Sequence, residues 1–350
     1  MRLCMNISYR DAHHPRFLIT RLSAVGDCIH SMPLIGALRR RFPGAFIAWA
    51  TQGLPATLLD NYPGLDQIYR VDRDWLKSLS SVSTVRRELR SFNFDVTLDA
   101  QSLTKSAALG WLSGAPYRIG FGKPQGRELS LWLNNIKVKP TVDHVVEKYL
   151  QLLEPLGIEI PAAPRFEMAE WQHASMQQFL QEKIGAGRYA VINPGAGWDS
   201  KLWPAKRFGE VARYLGQKHQ LHSIVVWAGD REESWAHEIV EHAGGQASMA
   251  PSTSLPELTS VLRGATLCVA ADTGPLHLAA AVNVPCVGLY GPTRPSECGP
   301  YGPQHVSVQT YLQGGTGRER RGADNSAMCA IEVSQVEAAC DQLLARAQAA

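Results

Sequence analysis

The sequence has no CxxC pair, no HxxxH or HExxH spacing, no GxxxxGK[ST] loop and no excess of one charge. Seven cysteines, an odd number without paired spacing, argue against a disulfide framework and a zinc knuckle and suit a reducing compartment. The histidine spacings argue against a zinc site. No apolar run reaches the roughly 18 residues of a membrane-spanning helix. The first sixteen residues lack an apolar signal core and read as a cytoplasmic extension. Lys plus Arg is 35 and Asp plus Glu is 32, a net of +3, which gives no support to a polybasic nucleic-acid binder.

What is present is an ordinary globular composition, 45% hydrophobic and 19% charged over 350 residues, a length for about two domains. The charge is unevenly divided. Residues 1–160 hold 20 basic and 14 acidic side chains, and residues 161–350 hold 15 and 18. Within 101–139, Lys105, Arg118, Lys123, Arg127, Lys137 and Lys139 face a single acid, Glu128. This stretch is either a solvated face or a docking surface for an anionic partner.

Short apolar runs alternate with amphipathic helices along the chain. Strands are expected at 17–20, 45–50, 67–71, 94–99 and 118–121, then at 189–193, 223–227, 266–270 and 285–290. Alternation of this kind gives parallel sheets with crossover helices. The Pro- and Gly-containing stretch 157–165 reads as a linker between two αβ halves, and 314–327 reads as a mobile loop. Ligands of open parallel sheets sit beyond the carboxyl ends of the strands, so the natural site is a cleft between the halves.

The notable polar clusters all fall at expected strand ends. Ser23-Ala-Val-Gly26-Asp27 sets a carboxylate near a helix start, either as a plain N-cap or pointing into the cleft. Asn193-Pro-Gly195-Ala196-Gly197-Trp-Asp-Ser-Lys201 is either a simple loop or a set of backbone donors with a lysine for phosphate. Asp272-Thr273-Gly274-Pro-Leu-His277 opens a helix whose N-terminus suits a diphosphate. Gln101, Thr104 and Lys105 end another strand. Glu232 or Glu233 could bind ribose hydroxyls or simply charge a first helical turn. Asp72-Arg-Asp74 matches the Asp-x-Asp of metal-dependent sugar transferases, but it lies in a charged turn and is a pattern expected by chance.

The segments RLSAVGDCIHSMP (21–33), DAQSLTKSAAL (99–109), RIGFGKPQGRELS (118–130), KLWP (201–204), ADTGPLHLAAA (271–281) and YGPTRP (290–295) together resemble the lipopolysaccharide heptosyltransferases, glycosyltransferase family nine. The 99–109 stretch is most similar to the heptosyltransferase I branch, which adds the first heptose to the Kdo sugar of the lipid A core. The resemblance implies a GT-B fold, an α/β architecture of two Rossmann-like domains with parallel sheets facing a central cleft. It implies an extension at 1–16, an acceptor domain at 17–160, a nucleotide-sugar domain at 161–330, and a helix at 331–350 packing back on the first domain. It implies inverting transfer from ADP-heptose without a cofactor or metal. Asp27 is then the general base and Lys201 the diphosphate or leaving-group lysine. Gly195, Ala196, Gly197, Glu232, Asp272, Thr273, Gly274 and His277 surround the donor. Ser23, Gly26, Gln101, Lys105, Arg118, Lys123 and Arg127 are the expected acceptor contacts. The implied partner is the anionic Kdo-lipid A at the cytoplasmic face of a Gram-negative inner membrane, with no nucleic acid. Ala196 and Gly197 stand where heptosyltransferase I has hydroxyl residues, which keeps open a heptosyltransferase II-like acceptor. A nucleotide-sugar epimerase of the same fold is the alternative chemistry.

Overall fold

The computed structural model describes residues 7–349. The chain divides into two compact units, with the boundary between Ala169 and Glu170. The expected linker at 157–165 therefore belongs to the end of the first unit.

The first unit is a six-stranded parallel sheet: β1 (Arg16–Thr20), β2 (Phe46–Thr51), β3 (Gln67–Arg70), β4 (Val96–Asp99), β5 (Tyr117–Phe121) and β6 (Ile136–Val138), in the order β3-β2-β1-β4-β5-β6. The second repeats this plan with β7 (Tyr189–Asn193), β8 (His222–Val225), β9 (Ala247–Met249), β10 (Leu267–Ala271), β11 (Cys286–Leu289) and β12 (Val306–Val308), in the order β12-β11-β10-β7-β8-β9. Both follow the Rossmann order, in which the chain reverses direction across the sheet between the first and fourth strands. The switch points lie between β1 and β4, paired from Phe17↔Val96 to Thr20↔Asp99, and between β7 and β10.

Strands buried on both faces read as continuous apolar runs, and β7 and β10 are buried at every residue. The three strands that the sequence did not reveal, β6, β9 and β12, are three-residue sheet edges. The stretch after β1 forms two helices, Val25–Ser31 and Pro33–Arg41, with proline opening the second.

The final helix, Val333–Ala349, contributes to the core of the second unit. Val336, Ala339, Cys340, Leu343 and Leu344 join the core built on Phe208, Val211 and Leu215 of the helix Ala205–His219. Trp203 Nε1 donates to Ile331 O at 3.1 Å and Trp203 meets Phe208 edge-on, so the KLWP segment is anchored to the start of that helix. The stretch 314–327 is not a featureless loop. It contains the helices Gly317–Gly322 and Ser326–Cys329, the first opened by a reciprocal Thr316–Glu319 capping box. The expected extension at 1–16 falls partly outside the described residues. From Ser8 onward the chain lies on the first unit, with Tyr9 against Phe17 and Phe42 and Arg10 N donating to Asp95.

Candidate functional site

At the first switch point the chain leaves β1 at Thr20 and turns into the helix Val25–Ser31, with Ala24 as N-cap. Asp27 is thus the third helical residue, and its carboxylate accepts a long 3.4 Å bond from Ala24 N. Its main partner is Arg21, whose Nη2 is 2.5 Å from Asp27 Oδ2. The Arg21 side chain is 9% exposed and that of Asp27 43%. Arg21 also donates to Ala100 O at 2.9 Å and lies over the Tyr149 ring. Burial works against the Arg21 charge, but the Asp27 carboxylate, together with Tyr149 and Cys28, outweighs it and raises the pKa. Tyr149 OH donates to Asp27 Oδ1 at 3.5 Å, and burial holds that phenol protonated. The result is a carboxylate oriented from its buried side and open on the other.

The neighbouring strand end carries a second, different carboxylate. Asp99 is buried, and burial raises its pKa against the donors Asn134 Nδ2 (2.9 Å), Ser102 N (2.7 Å) and Thr20 Oγ1 (3.3 Å). Gln101 Oε1 accepts from Leu22 N at 2.8 Å, bracing the ends of β4 and β1 together. The exposed Ser23 and partly buried Gly26 lie in the turn beside Asp27. Lys105 Nζ donates to Arg73 O. Lys123 and Arg127 are exposed in the loop after β5, which is tied to the end of β4 by Arg127 N to Ser102 O and by Thr104 Oγ1 to Glu128 Oε2. Arg118 is the exception. It enters β5 at the amino end, opposite the switch point, and its guanidinium donates to Leu133 O and Ala115 O. It braces the fold and is not brought to the other expected acceptor residues.

In the second unit the loop after β7 holds Gly195 closely: a Cβ there would come 2.1 Å from Glu232 Oε1. Glu232 Oε2 accepts from Ala228 N at 2.9 Å, and burial raises its pKa against that bond. Glu232 is therefore the carboxylate of the pair that packs on the glycine loop. Ala196 is partly buried and Gly197 exposed. The turn Asp199–Lys201 then delivers Lys201 Nζ to within 2.6 Å of Asp272 Oδ2 and 4.4 Å of the Trp198 ring centroid.

Asp272 directly follows β10 and is buried. Its carboxylate takes His277 Nε2 at 3.1 Å, Thr293 Oγ1 at 2.8 Å and Cys298 Sγ at 3.6 Å besides Lys201. Burial alone would raise its pKa; the His277 bond and the Lys201 charge together hold it well below the usual carboxylate range. Thr273 is the N-cap of the helix Gly274–Ala281, whose first backbone N–H groups have no intrahelical acceptor. His277 Nε2 is directed at Asp272, which makes it a brace for that carboxylate.

The structure thus assembles Lys201, Asp272, Thr273, Gly274 and His277 at one switch point, with Gly195 and Glu232 beside it. It assembles Asp27, Ser23, Gly26 and Gln101 at the other. Sequence reasoning missed Arg21, Tyr149, Trp198 and Thr293. Arg21 and Thr293 lie inside the motifs RLSAVGD and YGPTRP, yet nothing local marks which residue of a motif turns inward. Among the described residues, no three His, Cys, Asp or Glu side chains are grouped to hold a metal ion, and no helix is long and apolar enough to cross a membrane.

The sequence profile of glycosyltransferase family 9 (heptosyltransferase) matches residues 82–323. Lipopolysaccharide heptosyltransferase 1 of Salmonella typhimurium is 29% identical over 83% of this chain and 93% of its own length. The protein of the same name from Pseudomonas aeruginosa is 30% identical over 84% of this chain and 83% of its own. The solved structure of E. coli heptosyltransferase WaaC with ADP covers 94% of this chain and 99% of its own at 26% identity and a TM-score of 0.74. The WaaC structure with ADP-2-deoxy-2-fluoro heptose covers 93% and 99%, at 25% identity and a TM-score of 0.73.

Proposed function

The chain belongs to glycosyltransferase family 9, and from that premise we propose that it transfers heptose from ADP-heptose to the Kdo-lipid A inner core of lipopolysaccharide. The enzyme is a glycosyltransferase of GT-B fold. The observation that carries the finer reading is the Asp27 carboxylate, fixed by a buried arginine and open on its other side.

A sugar hydroxyl is a weak nucleophile near neutral pH. As it attacks the anomeric carbon from the face opposite the leaving group, Asp27 takes its proton. The bond from that carbon to the β-phosphate oxygen breaks, ADP departs, and the configuration inverts. Proton removal of this kind contributes about 10²- to 10⁴-fold. Charge developing on the departing phosphate falls to Lys201, held in place by Asp272, and to the N–H groups that open the helix at Gly274. These fixed positive groups supply the stabilisation without a divalent ion. Glu232, beside Gly195, takes the ribose hydroxyls. The WaaC complexes with ADP and with a fluorinated ADP-heptose support this choice of donor, and the name heptosyltransferase 1 shared by the two relatives supports the first heptose as product.

Lys105, Lys123 and Arg127 suit the phosphates of a lipid-linked acceptor, and near them Leu129 and Trp132 are exposed. We place the working enzyme on the cytoplasmic face of the inner membrane on that ground.

The test is purified protein with a panel of nucleotide sugars, offered Kdo-lipid A or the same acceptor already carrying one heptose, with and without EDTA. The expected result is chelator-resistant transfer from ADP-heptose to Kdo-lipid A with inverted configuration. Preference for the heptosylated acceptor would overturn the first-heptose assignment. Isomerised nucleotide sugar without acceptor would establish an epimerase instead.

A further inference from the structure

The segment 314–327 lies against the Lys201 turn, and its placement is over-determined. Thr316 and Glu319 cap its helix reciprocally, Arg320 Nη1 donates to Pro292 O at 2.8 Å, and Asn325 Nδ2 donates to Leu202 O at 3.0 Å. This sets the guanidinium carbon of Arg321 4.9 Å from the centroid of Trp198, the ring whose centroid lies 4.4 Å from Lys201 Nζ. One indole therefore carries two cations.

The two cations differ in their surroundings. Lys201 is mostly buried and its charge is offset by Asp272 at 2.6 Å. Arg321 is exposed, and among the described residues its guanidinium has no carboxylate or hydrogen-bond acceptor; the Trp198 face is its recorded contact. Stacking on an indole fixes the plane of a guanidinium while leaving its five edge donors free. A second positive charge placed beside the first is stabilised when a dianion joins them, and a planar fork matches phosphate oxygens two at a time.

We propose that Arg321 binds the diphosphate of the nucleoside-diphosphate donor, as a second cation beside Lys201, with Trp198 as the plate that orients both. The proposal rests on the reading that the second unit holds the donor. It adds to that reading a residue from a segment outside the glycine loop and the Asp272 helix.

The experiment measures binding of ADP, GDP, UDP, inorganic pyrophosphate and adenosine by calorimetry to wild type, Arg321→Ala, Arg321→Met and Arg321→Lys, with thermal midpoints as a folding check. Loss of charge-assisted hydrogen bonds should weaken ADP and pyrophosphate about tenfold or more in Arg321→Ala and Arg321→Met. Adenosine binding should be unchanged, and Arg321→Lys should recover only part of the loss. Arg321→Met retains a long side chain on Trp198, so a packing role would leave it near wild type. ADP affinity within twofold of wild type in both Ala and Met variants overturns the proposal while leaving the donor reading intact. If another nucleoside diphosphate binds and shows the same Arg321 dependence, the choice of adenine falls and the proposal stands. If wild type binds none of the diphosphates, the donor reading and the proposal fall together.

Discussion

Asp27 and Asp272 each stand just beyond a strand that flanks the switch point of its own unit, yet their surroundings oppose each other. Asp272 is 6% exposed and receives Lys201, His277, Thr293 and Cys298. Asp27 is 43% exposed and is held from one side by Arg21. A carboxylate whose lone pairs are all engaged by buried donors stays ionised and is costly to protonate; it orients its partners. A carboxylate that is half-exposed, with only a long 3.5 Å bond from Tyr149 on its second oxygen, can accept a proton from a hydroxyl brought to it. The same strand order thus carries an enclosed carboxylate in one unit and an accessible one in the other, and the difference lies in how many donors surround the group.

Asp27→Asn is the sharpest way to break this comparison. The amide keeps an oxygen for Arg21 and nearly the same volume, and it cannot act as base. Transfer should fall about 10²- to 10⁴-fold in kcat, with ADP affinity unchanged. Asp27→Ala is a poorer probe, because it also leaves the buried Arg21 charge without its partner. Near-normal kcat in Asp27→Asn would remove the base assignment and with it the contrast.

Asp272→Ala tests the other side. It leaves the mostly buried Lys201 ammonium without a counter-charge, and breaking a buried pair this way costs about 3–5 kcal/mol. The expected readout is a lower urea midpoint together with loss of ADP binding, whereas Asp27→Asn, which removes a counter-charge but keeps an amide oxygen for Arg21 at a half-exposed position, should lower the midpoint less. The pH dependence follows in sign. The folded pKa of Asp272 is depressed, so its contribution is fully present above the unfolded value of about 4 and is lost as pH falls further. The gap between wild type and the Ala variant should therefore be flat near neutrality and narrow only in acid. A variant as stable as wild type would show that the pinned carboxylate is not holding this region together.

These two groups also mark what the sequence could carry. Buried parallel strands such as Tyr189–Asn193 announce themselves as apolar runs. Because strand ends locate the switch points, the positions of Asp27, Lys201 and Asp272 beside them were legible. Edge strands of three residues, such as Ile136–Val138, are too short to show a period. Side-chain pairings were equally hidden. That Arg21 meets Asp27 while Arg118 is consumed by the carbonyls of Ala115 and Leu133 depends on backbone direction at each end of a sheet. That 314–327 folds onto Lys201 depends on Leu202 and Pro292, far away in sequence.

The smallest expected effect concerns a second contrast between the units. Of the large hydrophobic side chains exposed among the described residues, all but Tyr311 lie in the first unit, with Trp132 at 84% and Leu129 at 55%. Leu129 N approaches Thr104 Oγ1 at 3.4 Å, beside Lys105, and Arg127 and Lys123 precede it in the same loop. Exposed Trp and Leu among basic residues match the boundary of an anionic bilayer, where indole rings partition and each lysine or arginine adds about 1 kcal/mol near the surface. Trp132→Ala with Leu129→Ser should therefore reduce co-sedimentation with phosphatidylglycerol vesicles by about three- to tenfold, the range expected for removing two partly inserted apolar groups. Tyr311→Ser in the second unit should change nothing, and ADP affinity should be unaffected in either variant. Raising the salt concentration should weaken the binding that remains in the double variant, because its basic residues act through a screened field. Equal sedimentation of wild type and double variant would mean that these apolar side chains do not dock, and the basic residues alone would then have to account for any hold on the acceptor's membrane.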